Sequence, residues 1–213
     1  MKSRLDSGLV LSGGGARAAY QAGALCAIAA TLGKHRRRPF SVISGTSAGA
    51  INAATLAVHA DDFGRGVARL MRWWRNVDVA DVYRADFATL SSHGMRFLAA
   101  MVGAGRAPED AASMLDNTPL AALLERALDV ERIAEHCASG ALSALAINAT
   151  SYATGQAVTF FEGTNGHAAW KRTRRRGESA RITIAHLMAS TAIPFIFPAA
   201  RIGDDFYMDG SVR

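Results

Sequence analysis

The sequence predicts a single α/β domain in which helices cover a mainly parallel sheet, and three observations carry that expectation. A chain of 213 residues, half of them apolar, can bury one sizeable core but has little room for a second full domain. Alanine-rich stretches of helical period alternate with short β-branched runs, the pattern that covers a sheet with helices. Twice, a strand-like run passes through a glycine turn straight into a helical stretch.

The first of these units joins the strand Gly8 to Ser12, the turn Gly13-Gly14-Gly15 and a helix over Arg17 to Leu32. The second joins Phe40 to Ser44, the turn Gly45-Thr46-Ser47-Ala48-Gly49 and a helix over Ala50 to His59. Together they form a βαβ unit, whose crossover makes the two strands parallel neighbours and brings both glycine turns to one edge of the sheet. Phe63 to Arg75 reads as an amphipathic helix with Phe63, Val67, Leu70 and Trp74 on one face. Val79 to Gly105 is apolar and broken by glycine, and reads either as a helix pair packed on the sheet or as a lipid-facing cap. Pro119 to Leu128, opened by an Asn117/Thr118 cap, and Glu131 to Cys137 are helical. Leu142 to Asn148 and Ala157 to Phe161 read as paired strands around a Thr154-Gly155 turn. A helix over Ile182 to Ala192 stops before Pro194, and a last hairpin turns at Gly203-Asp204 and delivers Asp209-Gly210.

Composition narrows the setting. No apolar stretch long enough for a secretion signal precedes the first glycine turn, and no window reaches the roughly 20 apolar residues of a membrane span. The reading is a cytoplasmic protein, soluble or peripheral on a membrane. Cys26 and Cys137 stand in apolar helical contexts without metal-ligand spacing and read as core residues of a reducing compartment, with no metal expected. Lysine and arginine outnumber the acids 24 to 18, with the excess in two runs, Lys34 to Arg38 and Lys171 to Arg176. Such runs read first as solvated loops and second as contact with an anionic membrane surface. They lack the interleaved aromatics of a nucleic-acid site.

The chemistry concentrates in the turns. G-T-S-A-G between strand and helix is a nucleophile elbow: the tight turn exposes the Ser47 oxygen, and Gly45 and Gly49 let strand and helix approach. Gly13, Gly14 and Gly15 offer backbone N–H groups, unobstructed by side chains, to a developing oxyanion, donors typically worth about 3 to 4 kcal/mol each in a transition state. The same loop also matches the dinucleotide fingerprint G-x-G-x-x-A, and Arg36 to Arg38 keep an NADP-binding alternative open. Against it, the end of the second strand carries Ser44 to Ser47, where that alternative needs a ribose ligand. A serine needs a base. No histidine follows Asp209, which weakens a Ser-acid-His order, and His186 reads as an ordinary helix position. Asp209-Gly210, taken alone, reads as a turn.

Taken together, LSGGGARAAYQAG, GTSAGAINAA, ASTAIPFIFP and DGS resemble the ordered motifs of the patatin-like phospholipase family over essentially the whole chain. The resemblance implies a three-layer α/β/α domain spanning residues 1–213 and hydrolysis of phospholipid or related ester bonds without cofactor or metal. It makes Ser47 the nucleophile, Asp209 its partner in a Ser-Asp dyad, and Gly13 to Gly15 the oxyanion loop. Ala18 and Ser211 stand where the family has other small residues. Family domains continue beyond the aspartate, whereas this chain ends at Arg213. The sequence therefore reads as truncated at the C-terminus, and Asp209 is expected to fray unless packing holds it. A lipid-binding module that has lost catalysis is the companion alternative.

Overall fold

The computed structural model describes residues 7–33, 38–84, 113–164 and 167–212. Its sheet begins with β1 (Gly8–Leu11), β2 (Val42–Thr46) and β3 (Ala144–Ser151), all parallel. β4 (Ala157–Gly163) turns back antiparallel to β3, and β6 (Arg175–Ser179) runs parallel to β4 with β5 (Trp170–Arg172) on its outer edge. A last hairpin, β7 (Ala200–Ile202) and β8 (Asp205–Asp209), joins through an antiparallel pairing of β8 with β3. The sheet is thus parallel where the glycine turns emerge and mixed toward β5.

Helices flank this sheet as expected. α1 (Ala19–Leu32) leads from β1 to β2, and α2 (Ala48–Ala57) starts directly after Ser47. α3 (Phe63–Asn76) buries Phe63, Val67 and Leu70 on the stripe that its spacing predicts. A single turn, α4 (Val79–Val82), precedes residue 85, beyond which the remainder of the apolar 79–105 stretch lies outside the described residues. α5 (Thr118–Ala127), α6 (Glu131–Ala138) and α7 (Ile184–Thr191) complete the set. α2 is buried along its whole length, and its alanines let it lie close on the face that carries Ile43, Leu145, Ile147 and Val158. The other face of the same strands carries Ser44, Thr46, Asn148 and Thr159. There the Asn148 amide donates to Ser44 Oγ, Thr46 Oγ1 and the Gly45 carbonyl, and Thr159 Oγ1 donates to Asn148 Oδ1.

Three expectations need correction and one needs refinement. Strand β2 lies two residues later than Phe40 to Ser44, because Ser41 N bonds to the Ser7 carbonyl and the Phe40 ring packs edge-on against Phe63. Cys26 is exposed while Cys137 is buried, because α1 is apolar all round and turns only Ala22 and Leu25 inward. Composition could not reveal which face of it is buried. Asn117 is the N-cap of α5 as expected, but its side chain makes no capping bond, and the Asp116 carboxylate accepts from the Thr118 N–H instead. Finally, Lys171 to Arg176 is no loop but the heart of the β5–β6 hairpin. There Trp170 packs so closely on Gly177 that a Cβ would lie 2.1 Å from the indole nitrogen.

The elbow glycines face very close backbone approaches. A Cβ on Gly49 would lie 2.3 Å from the Leu11 carbonyl oxygen, and one on Gly45 would lie 2.5 Å from Ala50 Cα. Gly23, on α1, has nothing within 4 Å. Gly49→Ala is therefore expected to lower stability by about 1–3 kcal/mol through overpacking, seen as a fall of several degrees in Tm by circular dichroism. Gly23→Ala is expected to raise stability by about 0.5–1 kcal/mol through helix propensity.

Candidate active site

The site is assembled by one edge of β3. β2 pairs with β3 through Thr46 opposite Asn148, and β8 pairs with β3 through Asp209 opposite Ala149. β4 occupies the other edge of β3 over these same residues, so β2 and β8 must share one edge, meeting end to end from opposite directions. Ser47, one residue past Thr46, therefore comes level with Asp209.

Each side chain is fixed locally. Ser47 has φ +54° and ψ −132°, a conformation that costs a non-glycine residue on the order of 1–3 kcal/mol and is the mark of a sharp strand-to-helix elbow. Its N–H donates to Ser190 Oγ at 2.9 Å, and Ser190 Oγ in turn donates to the Asn148 carbonyl at 2.6 Å. Asp209, 3% exposed, donates its N–H to the Ala192 carbonyl at 2.8 Å, while its Oδ1 accepts from the Ser211 N–H at 2.7 Å. Thr150 Oγ1 donates to the Val212 carbonyl, which ties the segment after Asp209 back to β3. Gly210 is required here, because a Cβ would lie 2.3 Å from the Asn148 carbonyl oxygen.

The first glycine turn closes the third side. A Cβ on Gly13 would lie 2.4 Å from Ser211 Oγ and 3.1 Å from Ser47 Cβ, so the loop, the elbow and the Asp-Gly-Ser turn are in mutual contact. Gly15 has φ +54° and opens a 3-10 turn (Gly15–Ala18) into α1, and Gln21 Nε2 donates to the Ser12 carbonyl and pins the loop. Gly13 and Gly14, with Arg17, Tyr20 and Gln21, line an open cavity of about 490 Å³ beside Ser12. Among the described residues no cluster of three or more His, Cys, Asp or Glu side chains could hold a metal ion.

His186 points elsewhere. Its Nδ1 accepts from the Thr183 N–H at 3.1 Å, and its ring stands edge-on to Phe160 with centroids 4.8 Å apart. Sequence reasoning quoted the block around Ser190 but gave that hydroxyl no role, although it links the Ser47 backbone to β3. Only its place in the ASTAIPF block could have marked it.

An α/β sheet that presents a strained serine elbow beside a glycine loop has the form of a hydrolase scaffold. The chain belongs to the patatin-like phospholipase family, whose model matches residues 9–213. VipD from Legionella pneumophila is similar in fold, with a TM-score of 0.54 at 16% identity over 98% of this chain and 46% of that one. The type III effector protein ExoU gives a TM-score of 0.41 at 18% identity over 74% of this chain and 36% of its own. This chain therefore spans less than half the length of either. No curated protein gives a significant match. Among the described residues no helix is long and apolar enough to cross a membrane.

Two outcomes follow from the site's packing. Ser190→Ala leaves the buried Ser47 N–H without its acceptor, so unfolding by urea should show a loss of about 1–3 kcal/mol. Burial holds the His186 and His59 imidazoles below the ordinary value of 6.5, with the Glu178 carboxylate opposing the shift at His186. The unfolded chain takes up these protons first as the pH falls. Stability should therefore be full above pH 6.5 and decline as pH drops from there through the folded-state values. His186→Gln should flatten that decline in urea midpoints measured across this range.

Proposed function

We propose that this chain is a lipid acyl hydrolase, a phospholipase A or lysophospholipase-like esterase, in which Ser47 is the nucleophile and Asp209 its base. The observation that carries the reading is the end-to-end meeting of β2 and β8 on β3, which brings the elbow serine level with a buried carboxylate. Among the described residues His59, His136 and His186 bond away from Ser47, which the dyad accounts for, and the family supplies the lipid ester as substrate class.

In this mechanism Asp209 accepts the Ser47 proton as Oγ attacks the ester carbonyl, and the oxyanion is held by the Gly13 to Gly15 amides. Collapse breaks the bond to the alcohol or lysolipid, which leaves with the proton from Asp209. A water deprotonated by the same carboxylate then attacks the acyl-serine and frees the fatty acid. A free carboxylate is a weak base toward serine, so the arrangement depends on close geometry in a water-poor pocket. Burial of both Ser47 and Asp209 supports the second of these requirements.

A fluorophosphonate probe and a nitrophenyl acyl ester test the assignment together. Wild type should label and hydrolyse, whereas Ser47→Ala and Asp209→Asn should each lose at least about a thousandfold in rate with the fold intact. Labelling of Ser47→Ala at the wild-type rate would reject the nucleophile. Wild type that neither labels nor hydrolyses would favour a lipid-binding module.

A further inference from the structure

The turns at the Ser47 end of the sheet carry a feature that hydrolysis itself does not use. β4 starts at this end, since Ala157 pairs with Thr150 near the top of β3, and β6 starts beside it with Arg175 opposite Ala157. The β5–β6 turn, Arg172 to Arg175, therefore projects from the same end of the sheet as Ser47 and Asp209. At about 4.8 Å per strand it stands about 15–20 Å to one side of them. It also reaches two residues, about 7 Å, beyond the level of Thr46.

This turn is a cluster of cations. Lys171, Arg172, Arg174 and Arg175 are all exposed, and Arg174 sits at the tip with φ +58°. The nearby acids are engaged: Arg176 pairs with Glu178 and Asp205, and Arg201 pairs with Asp204. Among the described residues, no carboxylate pairs with the four exposed cations.

On the other side of Asp209 lies an apolar lip. The Asp209 N–H bonds to the Ala192 carbonyl, and the chain beyond it exposes Ile193, Phe195 and Ile196. The Phe195 and Ile196 carbonyls accept from the Met114 and Leu115 amides at 2.9 Å, which sets exposed Met114 alongside. Phe195 is 65% exposed and is held at φ +66°, a costly conformation for an aromatic residue that the two backbone bonds beside it help maintain.

We infer that this end of the molecule is a docking face for an anionic lipid bilayer, with the β5–β6 turn on the headgroups and the Met114/Ile193/Phe195/Ile196 lip in the acyl region. The charge is complementary to such a surface, and the apolar lip chooses a bilayer over a nucleic acid, whose backbone gives aliphatic side chains nothing to enter. The inference rests on the lipid-hydrolase reading for its purpose, since docking here delivers ester bonds to Ser47. The surface itself can be tested without turnover.

The full chain carrying Ser47→Ala is sedimented with vesicles of phosphatidylcholine alone and of phosphatidylcholine with phosphatidylserine. Binding should favour the anionic vesicles and weaken with salt. Each cation near an anionic leaflet adds about fivefold to partitioning, so Arg172→Glu with Arg174→Glu and Arg175→Glu should cut it by about 100-fold or more. Phe195→Ser should weaken binding to both vesicle types by about tenfold. The matching reversal of Arg36, Arg37 and Arg38 should have a smaller effect, because exposed Arg38 precedes the start of β2 at the opposite end of the sheet. Unchanged Tm shows that each variant is folded. The inference fails if anionic vesicles are not preferred, if the β5–β6 variant binds as its parent does, or if an RNA oligonucleotide displaces the vesicles. None of these outcomes depends on whether Ser47 is a nucleophile.

Discussion

The rest of the structure depends on the division of one edge of β3 between two strands. β2 climbs along residues 144 to 148 of β3 and stops, and β8 descends along residues 151 to 149 and stops. Neither strand could extend without displacing the other, so two backbone ends that are far apart in sequence are forced to the same level. Each end then has to turn away from the sheet. β2 does so through the strained Ser47 elbow into α2, and β8 does so through Asp209-Gly210-Ser211. Strand termini are where side chains leave the alternation of the sheet and can converge.

That convergence is maintained by close packing and by shared acceptors more than by any single strong bond. Gly13, Gly45, Gly49 and Gly210 each stand where a Cβ would approach within 2.5 Å of a neighbouring atom. The strain at Ser47 is offset by the Ser190 hydroxyl, which ties the elbow amide to the Asn148 carbonyl, and by the Asn148 amide, which gathers β2 from the opposite face. Ser190 belongs to α7, and the residue two beyond it, Ala192, receives the Asp209 amide. One short helix end thereby touches both halves of the meeting point, which explains why the ASTAIPF block accompanies the other motifs.

How much of this was legible follows from the range of the interactions. The βαβ unit and both glycine turns were readable because each strand, turn and helix is contiguous in sequence, and so was the hairpin that delivers Asp209. The level meeting of Ser47 and Asp209 was not derivable from periodicity, because it depends on a register on β3, and an Asp-Gly pair by itself signals only a turn. Resemblance to the family supplied the pairing. The roles of Ser190 and Asn148 stayed hidden for the same reason: each is a small polar residue in an apolar segment, and the β2 partners of Asn148 and both partners of Ser190 lie more than 40 residues away. The β5–β6 hairpin was missed because its charges mimic a solvated loop, whereas its backbone pairs with β4 and its one buried position, Gly177, carries no side chain to announce a strand. Cys26 was misplaced because an alanine-rich helix has no polar face to betray its orientation.

The same sheet end that gathers the site also explains why its surroundings are so unlike one another. Beyond Ser47 the strands differ in length, and those that extend furthest, β3 with β4 and the β5–β6 pair, place their turns outside the level of the elbow. On the proposed reading, the described residues flank the approach to Ser47 with a cationic hairpin on one side and the apolar segment after α7 on the other. The two are held by different means, one by strand pairing and one by backbone bonds to Met114 and Leu115, so each can vary without disturbing the register that aligns Asp209 with Ser47. In the proposed mechanism the chemistry is thus fixed by the inner strands, whereas access is set by turns that the core does not constrain.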